Sequence, residues 1–115
     1  MKTLLAPVAL GDLKLLLASA TRGSGMLFGR SVGKVTVIER LFPVPPGAWE
    51  PMITALAGRE DELVGVYFLE RRPRLTDWML GRLVMSIREG QAALATCEWH
   101  RGKRTLVPLL EEADA

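Results

Sequence analysis

The chain holds one histidine and one cysteine, and they stand together in Cys97-Glu98-Trp99-His100. That spacing would suit half of a zinc site. Structural zinc needs four ligands, and the sequence offers no second half-site. The same two residues could form a nucleophilic pair, but adjacent strand and turn positions direct side chains apart. The expectation is therefore that Cys97 is a small core residue on a strand and His100 a polar turn residue. No metal or cofactor is expected.

Three other groups of residues invite a chemical reading. Gly29-Arg30-Ser31-Val32-Gly33-Lys34 is close to a phosphate loop, but it is one residue short, Val35 replaces the required Ser or Thr, and a strand follows instead of a helix. A hairpin turn explains it. Glu60-Asp61-Glu62 and Glu111-Glu112 read as solvated charge at element ends. Arg71, Arg72 and Arg74 form the third group. Guanidinium groups in an open cleft bind a carboxylate, a peptide C-terminus or a phosphate by paired hydrogen bonds, whereas on a plain surface they pair with Glu70, Asp77 and water. Arg101, Lys103 and Arg104 make a second basic patch. Of the tryptophans, Trp78 adjoins an apolar stripe and is expected to be at least partly buried, while Trp49, beside Pro45 and Pro46, is expected to present an exposed contact. Both are candidate interface residues.

Composition sets the frame for these residues. The 115 residues match one domain, taken as 1–115, and 49% hydrophobic content is enough for a core without metals or disulfides. Fifteen Lys and Arg against thirteen Asp and Glu leave a net charge of +2, so composition gives no reason to expect a nucleic-acid partner. A lone cysteine fits a reducing compartment. Met1-Lys2, a short apolar run and Ala18-Ser19-Ala20 have the outline of a signal peptide, but Asp12 and Lys14 interrupt its apolar stretch. No segment reaches the ~18 apolar residues of a membrane span. The expected location is the cytoplasm.

Periodicity then supplies the elements. Residues 2–6 predict a short strand, followed by a helix that opens at Pro7, buries Ala9, Leu13, Leu16, Leu17 and Ala20, and ends near Thr21. Gly23 and Gly25 are expected to close it. Gly25 to Arg30 and Lys34 to Phe42 predict a hairpin turned at Gly33. Trp49 to Ala57 predicts a short helix capped by Gly58. Leu63 to Leu69 is an unbroken apolar run, as expected of a central strand buried on both faces. Thr76 reads as the N-cap of a helix whose stripe is Leu80, Leu83, Val84 and Ile87 and which ends at Gly90. Gln91 to Trp99 and Arg104 to Leu110 predict a second hairpin, with Pro108 placing its last strand at a sheet edge. The tail from Glu111 is expected to fray.

In this order, three local motifs resemble an MPN (JAMM) domain over nearly the whole chain. Gly25-Met26-Leu27-Phe28-Gly29-Arg30 is similar to the family's glycine-flanked apolar strand. Leu63-Val64-Gly65-Val66-Tyr67 is similar to the strand leading into its His-x-His-Pro. The loop and Leu75-Thr76-Asp77 are similar to the segment carrying its Ser and Asp. The resemblance implies an α/β (α+β layered) fold, a mixed β-sheet with flanking helices in an MPN/cytidine-deaminase-like architecture. It also implies a zinc held by two histidines and an aspartate, with a glutamate activating the bound water. This chain departs from that set at every position. Arg22, Gly23 or Ser24 stands at the glutamate, Phe68 and Glu70 or Glu70 and Arg72 at the histidines, and Met79 near the aspartate.

The reading that follows is a non-catalytic MPN-like interaction or scaffold module, a pseudoenzyme that forms a homodimer or binds another protein, with no membrane role. Two alternatives stay open. One is a hydrolase of peptidase or isopeptidase type with a rearranged site using Glu70 and Asp77. The other is a binder of an anionic partner through Arg71, Arg72 and Arg74, with Arg22, Phe68 and Glu70 bordering the same degenerate site.

Overall fold

The computed structural model describes residues 2–19, 22–55 and 62–109. In chain order it contains β1 (Lys2–Leu5), α1 (Pro7–Ser19), β2 (Gly23–Val32), β3 (Val35–Pro43), α2 (Trp49–Ala55), β4 (Leu63–Leu69), β5 (Leu83–Arg88), β6 (Gln91–His100) and β7 (Lys103–Pro108). Short 3-10 turns at Pro46–Ala48 and Asp77–Met79 precede α2 and β5. All the described strands join one sheet, in the order β1-β3-β2-β4-β5-β6-β7. β1 with β3 and β4 with β5 are parallel, and the other neighbours are antiparallel. The α/β class and the mixed sheet with flanking helices are as expected from the sequence.

β4 lies in the middle of this order, and its Leu-Val-Gly-Val-Tyr-Phe-Leu run feeds both faces of the sheet. Tyr67 and Leu69 point to one core, with Ala9 and Leu13 of α1, Leu27, Ile38, Leu41, Leu83, Met85 and Ile87. Leu63, Val66 and Phe68 belong to the other, with Met26, Val44, Trp49, Met79, Val84 and Cys97. The sheet is thus the middle layer, with α1 on one side and α2 and the Asp77–Met79 turn on the other. Close packing against β4 uses two glycines. A Cβ on Gly65 would lie 2.2 Å from the Leu83 carbonyl oxygen, and one on Gly25 would meet the Phe42 oxygen and the Tyr67 ring at 2.3 Å.

The N-terminal hairpin forms as predicted, with β2 longer than expected. Gly23 and Gly25 open this strand rather than closing the helix. Residues 20 and 21, the proposed cap Gly58, the Glu60-Asp61 turn and the C-terminal tail lie outside the described residues. The C-terminal hairpin is also as expected, and β7 with Pro108 is the edge strand. Its turn is tighter than the sequence suggested: His100 and Lys103 pair with each other, and only Arg101 and Gly102 turn, both at positive φ (51° and 74°). That is the signature of the two-residue turn whose twist matches flanking strands. Glu89 and Gly90 repeat it between β5 and β6, with φ of 51° and 76°.

The helix expected from Thr76 to Gly90 is not formed. After the single 3-10 turn, Gly81 adopts a φ of 79°, which ends helical geometry, and β5 begins at Leu83. Leu83, Met85 and Ile87 enter the α1-side core and Val84 the other. A strand buried on both faces is apolar throughout, and part of that run coincides with a helical stripe. Residues 70–82 still form the crossover of a dozen or so residues that a parallel β4–β5 pair requires, without a helix in it.

Candidate functional site

The sheet register brings part of the expected degenerate site together. β2 pairs antiparallel with β4 so that Gly23 faces Leu69 and Ser24 faces Phe68. Arg22, Phe68 and Glu70 therefore gather at one end of these two strands. Their environments differ sharply. Phe68 is 2% exposed and stacks edge-on against Trp49, ring centroids 5.5 Å apart. It is a core residue and lines no anion pocket. Ser24 is buried too, its hydroxyl donating to the Val44 carbonyl at 3.0 Å.

Glu70 has a structural task. It sits at a φ of 49°, its N–H donates to the Ile87 carbonyl at 2.8 Å, and its carboxylate accepts the Glu89 N–H at 2.5 Å. The side chain thereby pins the β5–β6 turn to the end of β4. Asp77, the other carboxylate of the proposed hydrolase, is engaged elsewhere, in an ion pair with Arg104 of β7. Of the loop arginines, Arg71 is half-buried and Arg22, Arg72 and Arg74 are exposed. The pairing of the loop with Asp77 expected from the sequence is replaced by Arg104.

Trp49 is not the exposed contact that its prolines suggested. It is 7% exposed, and its indole N–H donates to the Val44 carbonyl at 3.1 Å, which satisfies the one polar atom of a buried ring. Trp78 is half-buried, as expected, with the Arg82 guanidinium 4.5 Å from its ring centre and the Arg82 Nε donating to its carbonyl.

Cys97 is fully buried, and burial pushes its thiol up from the ordinary range. Its backbone receives Gly81 and donates to Arg82. His100 is exposed and, an odd number of residues along the same strand, falls on the opposite face. Among the described residues no three His, Cys, Asp or Glu side chains are grouped as metal ligands would be. Lys34 of the phosphate-loop-like stretch follows Gly33, which turns the hairpin at a φ of 61°.

Two surfaces went unread in the sequence. The first is the outer side of α1. Ala9, Leu13 and Leu16 face the core, yet Val8, Leu10, Leu15 and Leu17 are 56%, 42%, 69% and 39% exposed. Leu17, expected in the buried stripe, is instead exposed: the helix is apolar nearly all round, so periodicity could not separate its buried side from its exposed one. The second is an open groove of about 410 Å³ lined by Leu75, Trp99, Gly102, Lys103 and Arg104. It joins the basic loop to the basic hairpin turn, which are far apart in sequence.

No family model matches the chain, and no curated protein matches it in sequence. Among solved structures it is similar to the solution structure of protein DSY2949 from Desulfitobacterium hafniense, a structural genomics target. The TM-score is 0.53 at 15% identity, covering 99% of this chain and 96% of that one. At that identity the likeness speaks to the fold alone. No helix among the described residues is long and apolar enough to cross a membrane.

Proposed function

We propose that this chain is a non-catalytic interaction module that pairs with a second copy of itself through the outer side of α1. The observation that carries this reading is the exposure of Val8, Leu10, Leu15 and Leu17 on one short helix. Val8 and Leu15, and likewise Leu10 and Leu17, stand seven residues apart, two helical turns. The two apolar rows flank a ridge of Gly11, Lys14 and Ala18, and a Cβ added to Gly11 would meet nothing within 4 Å. Lys14 is the only charge on this arc, since Asp12 is turned to Arg40.

A surface with one charge has little with which to select a charged partner. It suits a copy of itself, packed antiparallel about a two-fold axis so that each apolar row meets its equivalent. The MPN resemblance belongs to the same proposal. It rests on the order of elements through β4 and is weakened at β5, where the family's helix has no counterpart.

Light scattering coupled to size exclusion tests the pairing. The wild type is expected at twice the chain mass in the upper micromolar range, and Leu15→Glu at the chain mass with an unchanged circular dichroism spectrum. A wild type that stays monomeric at the highest concentration refutes it.

A further inference from the structure

We propose that the groove beside the β6–β7 turn binds a nucleotide unit, with its base stacked on Trp99 and its phosphate held by Arg104. Trp99 is 61% exposed, a large aromatic face open to solvent. Its direct cross-strand neighbour is Arg104, so the indole and a guanidinium stand side by side on one face of the hairpin. Leu75 and Gly102 complete the walls, and Lys103 borders the opening. The glycine adds no side chain there, which leaves the approach to the ring clear.

The charge at this end is strongly one-sided. Arg101, Lys103 and Arg104 fall within four residues, and Arg74 adjoins the groove-lining Leu75. These four cations compare with a net charge of +2 for the whole chain, so the rest of the molecule is close to neutral or negative. Arg104 of the groove is paired with Asp77, to which it donates a single N–H. Guanidinium has five N–H donors in a planar fork, and the remaining ones suit phosphate oxygens. Lys103 forms no ion pair with any of the described residues.

Stacking on an exposed aromatic combined with flanking cations is how open surfaces hold nucleotide units without reading sequence. An acidic peptide would use the cations and leave the indole without a partner, so the base-bearing ligand accounts for more of the surface.

Fluorescence anisotropy with a labelled single-stranded oligothymidylate, and competition by thymidine and adenosine monophosphates, tests the site. Binding should weaken about tenfold or more in Trp99→Ala and far less in Trp99→Phe, which keeps a stacking face. Arg104→Gln should lower affinity and flatten its salt dependence. Trp99 is exposed, so a folded Trp99→Ala is expected, and its melting curve checks this. Equal binding per nucleotide of monophosphate and oligomer assigns a free nucleotide. Much tighter binding of the oligomer assigns a single strand. The proposal is overturned if neither probe binds at low salt, if Trp99→Ala binds like wild type, or if a polyglutamate peptide binds while the nucleotides do not.

Discussion

Asp12 lies on the flank of α1 and accepts the Arg40 Nε at 2.9 Å and the Leu41 N–H at 3.1 Å. Burial raises its carboxyl, but the Arg40 and Leu41 hydrogen bonds and the Arg40 charge outweigh that and hold it below the ordinary value. A carboxyl lowered in the fold stabilises above its unfolded value, and that stability is lost as pH falls through the folded one. Asp12→Asn should therefore cost on the order of 1 kcal/mol near neutral pH, and the gap in melting temperature should close as the pH drops below about 4. A gap that stays constant into acid would contradict this. The Asp12 charge also reaches Tyr67, whose phenol is pushed up to about 12, first by burial and then by Asp12. Tyr67 is the only tyrosine, so its ultraviolet absorbance after rapid pH jumps reads it alone. Asp12→Asn should move the titration down while leaving it above 10, the ordinary value. At this scale the sequence showed residue types well and neighbours poorly. Trp49 between prolines has the outline of a surface residue, and only the fold supplies the Val44 carbonyl and the Phe68 ring that let it be buried.

β5 illustrates how far elements can be read. Leu80, Leu83, Val84 and Ile87 fit a helical stripe, yet a two-faced buried strand presents the same apolar density without any period of its own. Gly81 and Gly90 decide between them, because each adopts the left-handed conformation and together they leave only a strand's length between. The strands with a β-branched or unbroken apolar run, β3 and β4, were legible, as were both hairpins. Of the candidate site residues only the grouping was legible: β2–β4 pairing gathers Arg22, Phe68 and Glu70, but what surrounds them depends on α2, remote in sequence. The groove was missed because Leu75 and Trp99 meet only through the crossover. Gly65→Ala tests the closeness of β4 and β5. Its methyl would strike the Leu83 backbone, which cannot swing aside like a side chain, so chemical denaturation should show a loss of about 1–3 kcal/mol or more. A loss under about 0.5 kcal/mol, the usual surface effect, would mean the two strands part more easily than their register implies.

Across the whole molecule, the α1 surface and the groove stand on opposite faces of the sheet, since Trp99 lies two residues from Cys97, whose core is the one opposite α1. Pairing through α1 leaves both grooves open, so monomeric Leu15→Glu should bind the oligothymidylate with wild-type affinity in the anisotropy titration. A large loss in that variant would show the two surfaces to be coupled. The sheet is also uneven in how it connects. β1 reaches its parallel partner β3 only through α1 and β2, and β4 reaches β5 only by a crossover, whereas two-residue turns join β2 to β3 at Gly33-Lys34, β5 to β6 at Glu89-Gly90 and β6 to β7 at Arg101-Gly102. Contacts between near neighbours in sequence close first, because little chain entropy is lost in closing them. The C-terminal meander, with two such turns in succession, is therefore the natural nucleus, and pulse-labelled hydrogen exchange during refolding should protect amides of β5 and β6 before those of β1, whose pairing with β3 spans more than thirty residues of chain. On that order β1 and α1, the helix with the exposed leucines, settle last, against strands that local turns have already brought together.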